Sequence, residues 1–232
     1  MDLSLVKNYT DVSNFGAAAL GDQDMIVLGD DRVSWNEMQR RAGQVANALV
    51  ADGVGSQDRV AFIDKNSVEF FEVVFGAAYV NGVTVAVNWR LAAPEMAYII
   101  NDSHAKVLIL HEEFAEHLAA FEADLTHVTS IVVIGSHGSH ASYDAWRDAN
   151  DGSFQPVGST DDDVAAQLYT SGTTGLPKGA QLTNRNFQAL FATVDWDMDE
   201  DSRNLCVMPL FHIAGSGWAL FGMANGAVTV MM

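Results

Sequence analysis

Leu168-Tyr169-Thr170-Ser171-Gly172-Thr173-Thr174-Gly175-Leu176-Pro177-Lys178-Gly179 is the most informative stretch of the chain. The apolar run Val164 to Tyr169 predicts a strand leading straight into it. Downstream, Thr183-Asn184 supplies a cap for a helix containing Phe187, Leu190 and Phe191. A strand, a small-residue loop and a helix in that order cluster backbone N–H groups around an anion. Gly172, Gly175 and Gly179 permit close backbone approach and positive φ. The hydroxyls of Ser171, Thr173 and Thr174 add donors, and Lys178 adds a mobile positive charge suited to phosphate oxygens. The glycine spacing is not that of a Walker A loop. Counting from Gly172, the second required glycine falls on Pro177, and Gly179 stands where Ser or Thr would hold a magnesium ion. Nor does the run contain the G-x-G-x-x-G of a dinucleotide fold.

Upstream of this loop the pattern alternates between helical and strand periods. Ser34-Trp35-Asn36-Glu37 reads as a capping box. It opens a helix with the apolar stripe Met38, Ala42, Val45, Ala46 and Leu49, ending near Gly53. Arg59 to Asp64 reads as a buried strand. Asn66-Ser67 caps a helix with Phe70, Phe71, Val74 and Ala77, and Val83 to Asn88 reads as the next strand. Pro94 suits the first turn of a helix over Ala93 to Asn101. A strand (Lys106 to His111), a helix (Glu112 to Leu125) and a strand (Ser130 to Gly135) follow. Strands apolar on both faces, alternating with helices, predict an α/β fold with mostly parallel sheets covered by helices. From His137 to Asp163 the pattern weakens into Ser, Gly and Asp. Two subregions, 1–136 and 164–232, are therefore expected, joined by a loop-rich linker over 137–163.

Composition excludes several classes. The chain has 232 residues, 49% of them hydrophobic, enough for a sizeable core. Its formal net charge of -18 argues against a general nucleic-acid binder or a binder of anionic membranes. The single Cys206 precludes an intrachain disulfide, fits a reducing cytoplasm and reads as a small buried hydrophobe. Residues 213–232 carry no charge over a length that could span a bilayer. Asn225-Gly226 divides them, so a buried helix followed by a strand, with no transmembrane segment, is expected. The paired histidines of His137-Gly138-Ser139-His140 have no Cys or acidic neighbours, and no metal site is assigned to them.

Tyr169 to Gly179 resembles the phosphate-binding motif of the AMP-binding, adenylate-forming superfamily. That superfamily includes acyl- and aryl-CoA synthetases, luciferases and the adenylation domains of peptide synthetases. Asn88-Trp89-Arg90-Leu91 with Pro94-Glu95 and Asn101-Asp102-Ser103 is similar to a second family block. Met208-Pro209-Leu210-Phe211-His212-Ile213-Ala214-Gly215 is similar to a further core motif, in its acyl-CoA synthetase form. Asn184 stands where many members have His.

The resemblance implies the large N-terminal domain of such an enzyme. It also implies a two-step reaction using ATP, Mg²⁺ and CoA on a fatty or aromatic carboxylic acid. Thr170, Ser171, Gly172, Thr173, Thr174, Gly175, Lys178 and Gly179 would bind the nucleotide phosphates, with Lys178 and His212 as the catalytic pair. Phe211, His212, Ile213, Gly215 and Trp218 would bind the acyl substrate. The alternatives are an acyl-AMP ligase that loads a carrier protein and a non-catalytic nucleotide-binding module. Family members also carry downstream adenine, ribose and hinge elements and a small C-terminal domain, none of which is found here. The expectation is thus a partial domain over 1–232, nearly inactive alone, cytoplasmic, and prone to self-association as a homo-oligomer.

Overall fold

The computed structural model describes residues 3–136, 138, 140–170, 175–193 and 196–232. Helix α1 (Tyr9–Leu20) is capped by Asn8, whose Oδ1 accepts from the Asp11 N–H. A hairpin of β1 (Asp24–Leu28) and β2 (Asp31–Ser34) leads into α2 (Trp35–Ala51). There follow β3 (Arg59–Ile63), α3 (Val68–Tyr79), β4 (Val83–Ala86), α4 (Ala93–Asp102), β5 (Ala105–His111), α5 (Ala115–Phe121) and β6 (Ser130–Ile134). The chain continues through β7 (Ala141–Ser142), α6 (Tyr143–Asp148), β8 (Val164–Thr170), β9 (Lys178–Thr183), α7 (Asn184–Thr193), β10 (Arg203–Cys206), α8 (Ile213–Ala224) and β11 (Val228–Met231).

Two sheets result. The larger is seven-stranded in the order β7-β6-β5-β3-β4-β8-β9, parallel except for the antiparallel β8–β9 pair. The smaller has the order β10-β11-β1-β2. Alternation along the central strands explains why helices cover both faces. Val60, Phe62, Val107 and Ile109 point into the main core under α2 and α3. Their neighbours Ala61, Ile63, Leu108 and Leu110 point into a second core with Met96 and Ile100 of α4 and Leu118 of α5. This is the mostly parallel, helix-covered α/β architecture that the sequence predicts.

The structure corrects several local expectations. Ser34 Oγ does accept from the Glu37 N–H, but the Glu37 carboxylate turns away to Arg40 and Arg41, so only half of the capping box forms. Glu112 to Leu125 is two short 3₁₀ turns flanking α5 rather than one helix. Residues 137–163 are not a simple linker: β7 extends the large sheet, and α6 buries Tyr143 and Arg147. The subregions 1–136 and 164–232 do not separate either. β8 and β9 complete the sheet of the first subregion, while β10 and β11 join β1 and β2. His137 and Ser139 of the histidine pair lie outside the described residues.

The uncharged stretch from Ile213 forms α8 and β11, separated by a turn at Asn225, as its turn signal predicts. Among the described residues no helix is long and apolar enough to cross a membrane. Cys206 is 1% exposed, and burial pushes its thiol up to about 11, consistent with a packing role.

Candidate functional site

Parallel strands β4 and β8 are neighbours in register, with Thr84 opposite Ala166 and Ala86 opposite Leu168. Their C-terminal ends therefore emerge side by side, where open α/β sheets place ligands. A cavity of about 350 Å³ opens there. Asn88, Leu91 and Glu95 wall it from the β4–α4 side, Tyr169, Thr170, Gly175 and Pro177 from β8 and its loop, and Phe211 and His212 from the segment before α8. Three sequence blocks far apart in the chain meet on one space.

The strands on either side of the small-residue loop pair with each other. After the loop the chain returns as β9, antiparallel to β8, with Thr170 opposite Lys178 and Tyr169 opposite Gly179. The helix expected after Thr183-Asn184 is present, but the intervening Lys178–Thr183 is a strand that the sequence reading did not include. α7 begins at Asn184, beyond the far end of β9, where Thr183 pairs with Val164. Asn184 there donates to Ser159 Oγ and the Thr160 carbonyl, away from the loop. The helix start that does face the cavity is that of α8, whose N-cap is His212. Its dipole favours negative charge on that side.

His212 Nδ1 accepts from the Ala214 N–H at 3.1 Å. A neutral imidazole held this way carries its proton on Nε2, which leaves that N–H as the donor. Asn66, just after β3, holds the segment in place. Its Oδ1 accepts from the Leu210 N–H at 3.0 Å, and its Nδ2 donates to the Met208 and Met232 carbonyls at 3.2 and 3.1 Å. Gly215 lets the first turn of α8 lie on that segment, since a Cβ there would fall 2.2 Å from the Pro209 carbonyl oxygen. Asn66→Ala leaves these backbone groups without their partner. The expected loss of stability is about 1–3 kcal/mol, read as a lower urea midpoint. An unchanged midpoint would show that the bracket contributes nothing.

The residues proposed from sequence are only partly brought together. Phe211, His212, Thr170 and Gly175 line the cavity. Gly175 has φ +129°, a conformation that favours glycine. Lys178 is exposed on β9 next to the wall residue Pro177, and among the described residues it has no ion-pair partner. Ser171, Gly172, Thr173 and Thr174 lie outside the described residues. Ile213 and Trp218 face a second, apolar groove of about 370 Å³ with Leu190, Trp196 and Phe221. There the Trp196 and Trp218 rings meet edge-on with centroids 5.3 Å apart, and Trp218 Nε1 donates to the Leu205 carbonyl. Asn88, Leu91, Glu95 and Tyr169 were not singled out as site residues. Their position at the C-terminal ends of neighbouring parallel strands is the signal that finds them.

The AMP-binding enzyme family matches residues 15–232. The chain belongs to that family. Among curated AMP-binding relatives, a fatty acid–[acyl-carrier-protein] ligase of Streptomyces coeruleorubidus is 36% identical over 209 residues, covering 86% of this chain and 38% of the relative. A feruloyl-CoA synthase of Amycolatopsis sp. is 36% identical over 191 residues, covering 82% of this chain and 36% of the relative. The solved structure of an anthranilate CoA ligase in complex with anthranoyl-AMP superposes with a TM-score of 0.92 at 27% identity. That match covers 100% of this chain and 46% of the ligase. The chain thus spans less than half the length of each of these AMP-binding proteins.

Proposed function

We propose that the protein carrying this chain activates a carboxylic acid with ATP and passes the acyl group to a thiol. In the first step a carboxylate oxygen attacks the α-phosphorus of ATP. The new O–P bond forms as the bond to the β-phosphate oxygen breaks, giving acyl-AMP and pyrophosphate. In the second step a thiolate attacks the acyl carbon and AMP leaves. Bringing an anion to a polyanion makes alignment and charge stabilisation the main tasks.

The observation that carries this reading is the meeting of Thr170, Gly175 and Pro177 with Asn88, Leu91 and Glu95 and with Phe211-His212 on one cavity at the strand ends. Thr170 and Gly175, with Ser171 to Thr174, Lys178 and Gly179, would cradle the β- and γ-phosphates and the leaving pyrophosphate. The Nε2–H of His212 would orient the carboxylate and the adenylate. The apolar groove of Ile213, Trp218 and Phe221 would take the apolar part of a fatty or aromatic acid. In this scheme magnesium enters bound to ATP, as MgATP. A reducing cytoplasm, which supplies ATP and CoA, is the compartment the reading implies.

The test is carboxylate-dependent ATP–pyrophosphate exchange with medium-chain, long-chain and aromatic acids. Exchange with at least one class is expected. Its absence with all of them would favour the nucleotide-binding module. Free CoA is expected as the acceptor. Transfer to a phosphopantetheinyl carrier alone would identify the carrier-loading form, the reaction named for the Streptomyces relative.

A further inference from the structure

Resting on that reading, we infer that Asp102 is a positioning residue for the phosphate loop, holding through Tyr169 the end of β8 from which the loop departs. Asp102 Oδ2 accepts from the Tyr169 hydroxyl at 2.6 Å, a short, charge-assisted bond. Its Oδ1 accepts more weakly from Tyr98, at 3.4 Å. Tyr169 lines the cavity, and Thr170 beside it is the last residue of β8 before the loop.

The bond is the end of a relay. Arg59 Nε donates to Gln167 Oε1 at 3.4 Å, Gln167 Nε2 donates to the Tyr169 oxygen at 3.0 Å, and Tyr169 donates to Asp102. Each bond is oriented the same way, so the carboxylate polarises the whole string. Burial, with Asp102 next, holds the Tyr169 phenol above its ordinary range, and the ring stays a donor at any physiological pH.

Two independent features point the same way. Asp102 is the last residue of α4, whose last turn holds no basic residue. An acid there opposes the helix dipole and costs stability, so its place is not explained by the helix itself. Across the β8–β9 pair, Gly179 lies opposite Tyr169, and a Cβ on it would sit 2.5 Å from Gln167 Nε2 and 2.9 Å from Tyr169 Cζ. The closing glycine of the loop motif is thus needed for space beside the relay. It makes the room in which the Tyr169 ring reaches Asp102.

The test is made on the protein carrying this chain, comparing Asp102→Ala, Asp102→Asn and Tyr169→Phe with the unchanged protein in ATP–pyrophosphate exchange. Asp102→Ala and Tyr169→Phe each raise the KM for MgATP by roughly ten-fold, while the KM for the acid keeps its wild-type value. The double variant is no worse than either single one, because both remove the same bond. Asp102→Asn keeps an acceptor and recovers most of the loss. Tyr169→Phe removes one hydroxyl and keeps the ring, so it serves even if Asp102→Ala does not fold. Variants with an unchanged KM for MgATP, or with both substrates affected alike, would overturn the inference and leave the ligase reading intact. If the unchanged protein shows no exchange with any acid, the ligase reading falls. ATP affinity by calorimetry then decides the positioning role, and equal affinity across the set, or no binding, overturns it.

Discussion

Lys178→Ala is expected to lower carboxylate-dependent pyrophosphate exchange by roughly 10²-fold or more, with the thermal midpoint unchanged. Lys178 is opposite Thr170 in the β8–β9 pair, so both side chains leave the same face of the sheet. Thr170 is a wall of the cavity. A four-carbon stem from that position would bring an ammonium towards the phosphates in the proposed scheme. The chain carries a net charge of -18, so a polyanion gains little from the protein's overall field. A local cation then counts for more. Because Lys178 is exposed on its strand and has no ion-pair partner among the described residues, its removal has no reason to weaken the fold. Lys178→Arg keeps the charge but replaces a compact ammonium with a planar fork, and partial recovery is expected. Wild-type exchange by Lys178→Ala would remove the residue from the mechanism.

Glu72→Ala is expected to cost about 3–5 kcal/mol of stability, read from urea unfolding. Glu72 is fully buried in α3 and bridges three elements. Oε1 accepts from Arg41 of α2 at 2.9 Å, and Oε2 accepts from Arg147 and from the Tyr143 hydroxyl of α6, both at 2.9 Å. Removing the carboxylate takes away the one buried counter-charge of Arg147, whose side chain is 10% exposed, and leaves it only the exposed Asp144 and Asp148. Burial, then Glu72, pushes the Tyr143 phenol well above its usual range, so it remains a donor and loses its acceptor in the variant. Amide exchange over 143–148 is expected to quicken more than exchange in β3. A loss below about 1 kcal/mol, or an α6 unaffected by the substitution, would contradict the network.

That network also shows why residues 137–163 read as a linker. Ser, Gly and Asp dominate the stretch, and neither Tyr143 nor Arg147 stands in an apolar stripe of its own. α6 owes its place to a charge on α3, 75 residues away from Arg147 in sequence. No periodicity within the segment carries that information. The loop motif, by contrast, was legible because its residue types are demanded locally: glycines for close approach, hydroxyls and a lysine for phosphate.

What the sequence alone does not show there is the strand between the loop and the helix that begins at Asn184. Lys178 to Thr183 has modest strand character alone and becomes β9 by pairing with β8. The helix that follows is carried to the opposite end of the sheet. Which helix start faces the cavity was thus a consequence of strand pairing and fell to α8.

Period and composition by themselves determined the α/β class, the alternation of helix and strand through most of the first 135 residues, and the turn that splits Ile213 from Met232. Each depends on neighbours within about a turn or two of chain, the range over which periodicity and capping act. Tertiary structure alone decided that Asn88, Tyr169 and His212 share one cavity, that Ile213 and Trp218 face another, and that Asp102 reaches Tyr169. Those contacts are set by the strand order β3-β4-β8-β9 and its register, which arise from pairing between segments distant in sequence. A side chain's face is legible from its own strand, whereas its partner across the sheet is not.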